Sequence, residues 1–440
     1  MTHVAYTNIG AAPFPVPPAR IPWDVGYLAS YGQSDSVGTE AEVGGGDVPI
    51  STGAVPGLKM LGPKMNQGVI FNDFTRFQAP IAAVESAETY ALTNFNETPV
   101  RGMMEAINGF LTDAGNPLAT SGQEIWGNSM GNPSASITTL DRDPTKSFGD
   151  TTYAWGLLEA AVAAAKTHAT AASKTFGVLG ISWHQGAADY PSGLNLTKTQ
   201  YRDYLLGMAD DLQTYIGGHT GQSQLVYLVA CASNAHSQRG SANNAYIAEA
   251  AALAAEQHDA IVLGNPQYAG IFGGFKSGVH HRPYESKRLG AMAGRALFDL
   301  HCARSGWWDF LPSAVSRSAS DVVKIDFDVP EGFELKFAYQ SDARDNMRPD
   351  KNLGFRVLQT GTTTEVALAT SILPWISGDS VYLKTAAALP ATCDLNYGSW
   401  TYGGGLTIQP VDPADRFFIT DGFTDPVHRH CSPFREVVPA

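Results

Sequence analysis

Val25-Gly26-Tyr27-Leu28-Ala29, running on into Tyr31-Gly32-Gln33-Ser34-Asp35, is the stretch on which the reading of this chain turns. The apolar run reads as a first buried strand. The second segment is a Gly-Gln-Ser-Asp turn just past the strand end. A serine held in such a turn exposes its hydroxyl and presents its own backbone N–H beside it. Acyl transfer needs both groups, a nucleophilic oxygen and a donor aimed at the developing oxyanion.

Further along, Phe176-Gly177-Val178-Leu179 leads into Gly180-Ile181-Ser182-Trp183-His184-Gln185-Gly186-Ala187-Ala188-Asp189. Ser277-Gly278-Val279-His280-His281-Arg282-Pro283 precedes a helix-like stretch from Tyr284 to Leu300. Between residues 24 and 305, short apolar runs alternate with helical periodicity. Strands are expected at Val25–Ala29, Phe176–Trp183, Leu225–Ala230 and Ala260–Leu263. Helices are expected at Tyr153–His168, Gln200–Tyr215, Asn244–His258 and Tyr284–His301, the last with Leu289, Met292, Ala293, Leu297 and Leu300 on one face. Alternation of this kind implies an α/β fold with a parallel sheet covered on both sides. Functional groups then collect beyond the carboxyl ends of the strands, where Ser34 and His184-Gln185 can meet.

The stretch from Gly38 to Ala119 is rich in Gly, Pro and Asn, and reads as long loops with short helices. After Pro312 the pattern changes to short strands with turn signals: Val322–Phe327, Glu334–Tyr339, Gly354–Leu358, Glu365–Ile372 and Ser380–Thr385. The expected organisation is an extended Pro-rich lead-in over 1–23, an α/β domain over 24–312 and a small all-β sandwich over 313–440.

With 440 residues the chain is long enough for more than one core. Hydrophobic residues make up 44% and charged residues 16%, which describes a globular chain. A net charge of −13 argues against nucleic acid as a partner, since phosphate binding draws on basic patches. No run of 18 apolar residues exists, so no transmembrane helix and no membrane partner are expected. The first 20 residues lack the basic start and apolar centre of a signal peptide. Localisation stays open between virion-associated and cytoplasmic. Cys231, Cys302, Cys393 and Cys431 lack metal-ligand spacing and read as buried thiols, with a Cys393–Cys431 disulfide as the alternative. No phosphate loop or dinucleotide fingerprint occurs, and no cofactor is implied.

Taken together, the Gly-Gln-Ser-Asp, His-Gln-Gly and late His segments resemble those of the SGNH hydrolases, in particular the sialate O-acetylesterase and acetylxylan-esterase branch. That branch carries Gly-Gln-Ser-Asn/Asp first, His-Gln-Gly-Glu in the middle and Asp-x-x-His late. It often has a Leu-Gly pair ten residues after the His, matched here by Leu289-Gly290 after His280, which favours His280 over His281. The resemblance covers roughly residues 24–300. It implies a flavodoxin-like parallel-sheet hydrolase domain, and the C-terminal part resembles the β-domain attached to some SGNH esterases, including phage-borne ones.

On this basis Ser34 is the expected nucleophile and His280 the base that later protonates the leaving alcohol. The third triad member is missing from both family positions, which hold Ser277 and Ala187. Asp189, two residues past Ala187, is one candidate acid. A backbone carbonyl near residue 277, accepting the imidazole N–H, is the other. The resemblance implies an oxyanion hole built from the Ser34 N–H, a glycine N–H and a polar side chain, roles that fall to Gly131 and Gln185. A rival nucleophile is Ser129 in Gly127-Asn128-Ser129-Met130-Gly131, a G-x-S-x-G elbow; that motif needs a helix directly after it, and Asn132-Pro133 is poor material for one. Trp183, His184 and Tyr190 are candidates either for stacking on a sugar or for core packing.

The implied activity is a serine esterase removing O-acetyl groups from a carbohydrate through an acyl-enzyme. The alternative is a non-catalytic glycan-binding or virion structural protein on a degenerate esterase scaffold. The β-domain is open between glycan binding, scaffold packing and homo-oligomerisation.

Overall fold

The computed structural model describes residues 19–40, 49–67, 77–85, 88–90, 93–95, 97–190, 196–231, 233, 245–267, 280–281, 283–337, 349–398, 406–411 and 429–440. Its larger part is a seven-stranded sheet. In chain order the strands are β1 (Val25–Gly32), β2 (Leu58–Leu61), β3 (Pro80–Ala82), β4 (Glu124–Ser129), β5 (Phe176–His184), β6 (Tyr227–Ala230) and β7 (Ile261–Leu263). Across the sheet the order is β7-β6-β5-β1-β4-β2-β3. Every pairing is parallel except that of β2 with the edge strand β3.

This order explains the apolar runs. All eight residues of β1 are buried, as a central parallel strand with helices on both faces requires. Its side chains alternate: Val25, Tyr27, Ala29 and Tyr31 join one core and Leu28 the other. The first core is closed by helices α2 (Ala154–Ala171), α3 (Lys198–Asp211) and α4 (Tyr246–Gln257), the second by α1 (Pro99–Asp113) and α5 (Pro283–Leu297). The chain builds β4 on one side of β1 and then crosses to build β5 on the other. β1 therefore stands at the point where the winding direction reverses, and the carboxyl ends of β4, β1 and β5 share one crevice.

The segment read as long loops with short helices contains regular elements of this fold. The 38–119 region contributes β2, β3 and the 15-residue helix α1. Pro99 opens that helix, where its missing N–H costs nothing. Val100, Met103, Met104, Ile107 and Leu111 are fully buried at helical spacing. The lead-in is also partly structural, because Ile21 is buried in the second core. No helix among the described residues is long and apolar enough to cross a membrane.

From Pro312 onward the strands are antiparallel and fall into three sheets. One orders Pro312–Ala319, Val322–Phe327, Ser380–Lys384 and Trp375–Ser377. The second orders Glu365–Val366, Phe355–Gln359, Cys393–Tyr397 and Phe434–Val438; the third orders Phe333–Phe337, Leu406–Pro410 and Arg429–His430. All three feed one apolar core, which includes Val323, Ile325, Val357, Val381, Leu395 and Ile408. Phe310 already packs there, two residues before the expected boundary at 312. The expected strand Glu365–Ile372 shrinks to Glu365–Val366, while six strands appear among the described residues that were not anticipated: Pro312–Ala319, Trp375–Ser377, Cys393–Tyr397, Leu406–Pro410, Arg429–His430 and Phe434–Val438. The four cysteines are buried and free.

Candidate functional site

The turn after β1 is locked by its neighbours on both sides. Gln33 N–H donates to the His184 carbonyl at 3.0 Å, and Asn132 N–H donates to the Gly32 carbonyl at 2.9 Å. Gly32 has φ +140°, and a Cβ there would lie 2.3 Å from the His184 carbonyl oxygen, so only glycine fits. Ser34–Val37 then forms a short 3-10 turn. Its end is held from below: Ser30 Oγ and Ser129 Oγ both donate to the Ser36 carbonyl. The Gln33 side chain reaches across, and its Oε1 accepts the Gly186 N–H at 3.3 Å and the Ala188 N–H at 3.1 Å. The Gly-Gln-Ser-Asp and His-Gln-Gly segments are thus a single hydrogen-bonded unit.

His280 and His281 precede α5 and meet this turn as a pair. His280 Nε2 lies 2.9 Å from Ser34 Oγ. His281 Nδ1 lies 3.3 Å from Asp35 Oδ1, and His281 Nε2 lies 2.9 Å from the Gln267 carbonyl. Gln267 Nε2 donates to Asp35 Oδ2 at 3.1 Å, closing a ring of three residues. Consecutive residues of the turn therefore engage consecutive histidines. Gly290 fixes the helix behind them: a Cβ there would meet the Pro99 carbonyl oxygen of α1 at 1.8 Å, so α5 lies backbone-close on α1.

Burial opposes ionisation of Asp35, yet His281, with His280 and His184 behind it, holds its carboxyl below the ordinary value. His184 is fully buried, and burial drives its imidazole down to about 4, so it stays neutral. Its Nε2 contacts Ser182 Oγ at 3.0 Å and its Nδ1 has no hydrogen-bond partner among the described residues.

Two expected roles are not supported by the geometry. Gln185 Nε2 donates to the Ala135 carbonyl at 3.2 Å and to the Asp189 carboxylate, and its Oε1 accepts the Tyr201 hydroxyl at 2.6 Å. Both amide hydrogens are spent, so Gln185 is not an oxyanion donor. Asp189 Oδ2 accepts from Gln185 and from the Ile137 N–H at 2.9 Å, while Oδ1 has no hydrogen-bond partner among the described residues. The carboxylate organises the floor of the middle segment and makes no bond to His280, which removes it as the acid. Ser277, the site of the alternative carbonyl acceptor, lies outside the described residues. Trp183 and Tyr190 are core residues: Trp183 packs on Tyr31, and the Tyr190 hydroxyl donates to the Ser233 carbonyl at 3.2 Å. Neither offers a face to a sugar.

Ser129 is fully buried at the end of β4, followed by a loop rather than a helix. Its hydroxyl is committed to the Ser36 carbonyl, so the elbow role fails. Gly131 remains a donor candidate. A Cβ there would collide with Ser36 Oγ at 1.9 Å, showing how tightly this loop is pressed to the Ser34 turn. Met130 N–H and Asn132 N–H on either side are bonded to Ser30 and Gly32, whereas the Gly131 N–H has no acceptor among the described residues. Asn132, next to Gly131 in the same loop, is a further candidate donor that the sequence reading overlooked. Its half-buried side-chain amide makes no hydrogen bond among the described residues, and its backbone is tied to Gly32. The signal was its position: a Gly-Asn pair just past a strand that neighbours β1.

Among the described residues no group of three His, Cys, Asp or Glu side chains is arranged to hold a metal ion. Comparison with protein-family models and with curated proteins finds no match for this chain.

Proposed function

We propose that this protein is a serine ester hydrolase that works through an acyl-enzyme on Ser34. The single observation that carries the reading is the 2.9 Å approach of His280 Nε2 to Ser34 Oγ, in the crevice where the sheet reverses direction. His280 takes the Ser34 proton as the oxygen attacks an ester carbonyl. The oxyanion is received by the Ser34 N–H, the first amide of its turn and so without an intrahelical acceptor, together with the Gly131 N–H and the Asn132 amide. His280 then protonates the leaving alcohol. A water, deprotonated by the same imidazole, attacks the acyl-Ser34 ester; the intermediate collapses as His280 returns that proton to Ser34 Oγ, and the released carboxylic acid gives up its own proton to solvent.

The finer reading follows the resemblance to SGNH acetylesterases: the acyl group is acetyl, the alcohol is a carbohydrate hydroxyl, and the α/β part is an SGNH hydrolase domain carrying an accessory β-domain. Ser34 is only 4% exposed, which suits a small acyl group better than a long chain. The test is hydrolysis of p-nitrophenyl acetate by the full chain and by Ser34→Ala, with an acetyl adduct on Ser34 sought by mass spectrometry. Activity lost in Ser34→Ala supports the reading; activity retained there ends it. Release of acetate from an O-acetylated polysaccharide, and a fall in rate from acetate to octanoate esters, test the carbohydrate acetylesterase assignment.

A further inference from the structure

The ring of Asp35, His281 and Gln267 fixes where protons must sit. The Gln267 carbonyl can only accept, so the 2.9 Å contact puts a hydrogen on His281 Nε2. An ionised Asp35 also can only accept, so the 3.3 Å contact puts a second hydrogen on His281 Nδ1. If Asp35 were neutral instead, it would donate its own proton to a bare Nδ1. Either way the pair holds one proton more than a carboxylate beside a neutral imidazole. Withdraw that proton and a carboxylate oxygen faces a nitrogen lone pair, in a place where Asp35 is 4% and His281 3% exposed. Water cannot relieve that repulsion, and the contact must open.

We propose that His281 is a positioning residue held doubly protonated by Asp35 and the Gln267 carbonyl, and that loss of its proton releases the turn carrying Ser34. The catalytic consequence rests on the ester-hydrolase reading above; the protonation state does not. Among the described residues, the charged and titratable groups facing His281 include Asp35 from the turn, Glu285 from α5 and His184 from the end of β5, with His280 next in the chain. Burial alone would lower His281, but Asp35, Gln267 and Glu285 outweigh it and raise it above the ordinary histidine value. A raised folded value means the contribution is complete below the unfolded value and is lost as pH rises through the folded one. Asp35, held low, supplies its part from above the ordinary carboxylate range. The turn is therefore secure between the ordinary carboxylate and ordinary histidine ranges and loosens as pH rises through the raised His281 titration.

The experiment has two readouts on the full chain. Imidazole 15N NMR across pH, assigned by comparison with His281→Gln, reads the protonation of His281 without any substrate. Both ring nitrogens should carry hydrogen at neutral pH, and Asp35→Asn should lower the titration by about one to three units. A singly protonated His281 at neutral pH overturns the proposal, whatever the enzyme does. The second readout is kcat/KM on p-nitrophenyl acetate against pH. The parent should show an alkaline limb that Asp35→Asn moves to lower pH with its NMR titration and that His281→Gln abolishes. A limb that stays in place in both variants overturns the positioning role. Absence of hydrolysis in the parent strikes the ester-hydrolase reading alone, and the NMR result still decides the protonation.

Discussion

Ser34 and Asn132 sit on adjacent loops tied together through the Gly32 carbonyl, yet they differ in what a substitution removes. Asn132 makes no side-chain hydrogen bond among the described residues, so Asn132→Ala leaves none of their buried groups unpaired and should barely change stability. If its amide receives the oxyanion, kcat on p-nitrophenyl acetate should fall about 100- to 1,000-fold with little change in KM. An unchanged kcat would leave the Ser34 and Gly131 amides as the only donors. Asp189 predicts the opposite pattern. Its Oδ2 satisfies the Ile137 N–H and the Gln185 amide inside the protein. Asp189→Ala should therefore destabilise the fold by about 1–3 kcal/mol, read by chemical denaturation, while kcat per folded molecule stays within a few-fold. A thousandfold loss of kcat in a stably folded Asp189→Ala would restore it as the acid. The Ser34–His280 contact was legible from sequence because each residue sits in a short motif with its own spacing. The Asp35–His281–Gln267 ring was not, since it joins three segments far apart in the chain. Nor could a motif say where Gln185 points; its amide faces Ala135 and Asp189 because the 3-10 turn at Ala187–Asp189 folds back beneath it.

At the scale of elements, burial on both faces made β1, β5, β6 and β7 visible as apolar runs. β4 is as central as β5, but Gly127, Asn128 and Ser129 fill its second half. Those polar groups are buried and satisfied: Asn128 Oδ1 accepts the Leu61 N–H at 3.1 Å, and Ser129 caps the Ser36 carbonyl. Hydrogen bonding to other segments replaced hydrophobicity there, and periodicity cannot register it. Glycines in helices carry a similar lesson, because the letter alone does not separate need from tolerance. Gly290 in α5 abuts the Pro99 carbonyl oxygen, whereas Gly207 in α3 is exposed with nothing within 4 Å of an added Cβ. Gly290→Ala should push α5 off α1, cost about 1–3 kcal/mol or more, and displace His280 from Ser34, lowering kcat as well as Tm. Gly207→Ala should stabilise the protein by about 0.5–1 kcal/mol through helix propensity and leave activity alone. Equal effects from the two substitutions in thermal melts would mean that the α1–α5 contact does not hold the histidine helix in place.

Across the whole molecule, the α/β sheet and the C-terminal strands are joined at the end of β7. The Leu263 N–H donates to Asp309 Oδ1 at 2.7 Å, and Trp307 Nε1 donates to the Leu263 carbonyl at 3.0 Å. Arg429, from the C-terminal strand Arg429–His430, is buried over the Trp307 and Trp308 rings at 3.9 and 4.6 Å. Neither of its terminal nitrogens makes a hydrogen bond among the described residues. Its charge is matched by Asp309 and Asp299, which oppose a burial effect that pushes the guanidinium down to about 10. Asp299 has a second partner in Arg295 at 2.7 Å, so Asp309 depends more on Arg429. Burial already raises the Asp309 carboxyl, held in check by the Leu263 N–H and by Arg429. Arg429→Met keeps the length of the side chain against the two indoles but removes the cation, so Asp309 must rise further. The folded variant then binds a proton that the folded parent does not, and its stability relative to the parent falls as pH rises. Between the two Asp309 titrations the gap should widen by about 1.4 kcal/mol per pH unit, be largest above the variant's titration, and close below the parent's. Denaturation curves of parent and variant across that range provide the measurement. A gap independent of pH would show that Arg429 serves the junction by packing on Trp307 and Trp308 alone, with Asp309 satisfied by the Leu263 amide.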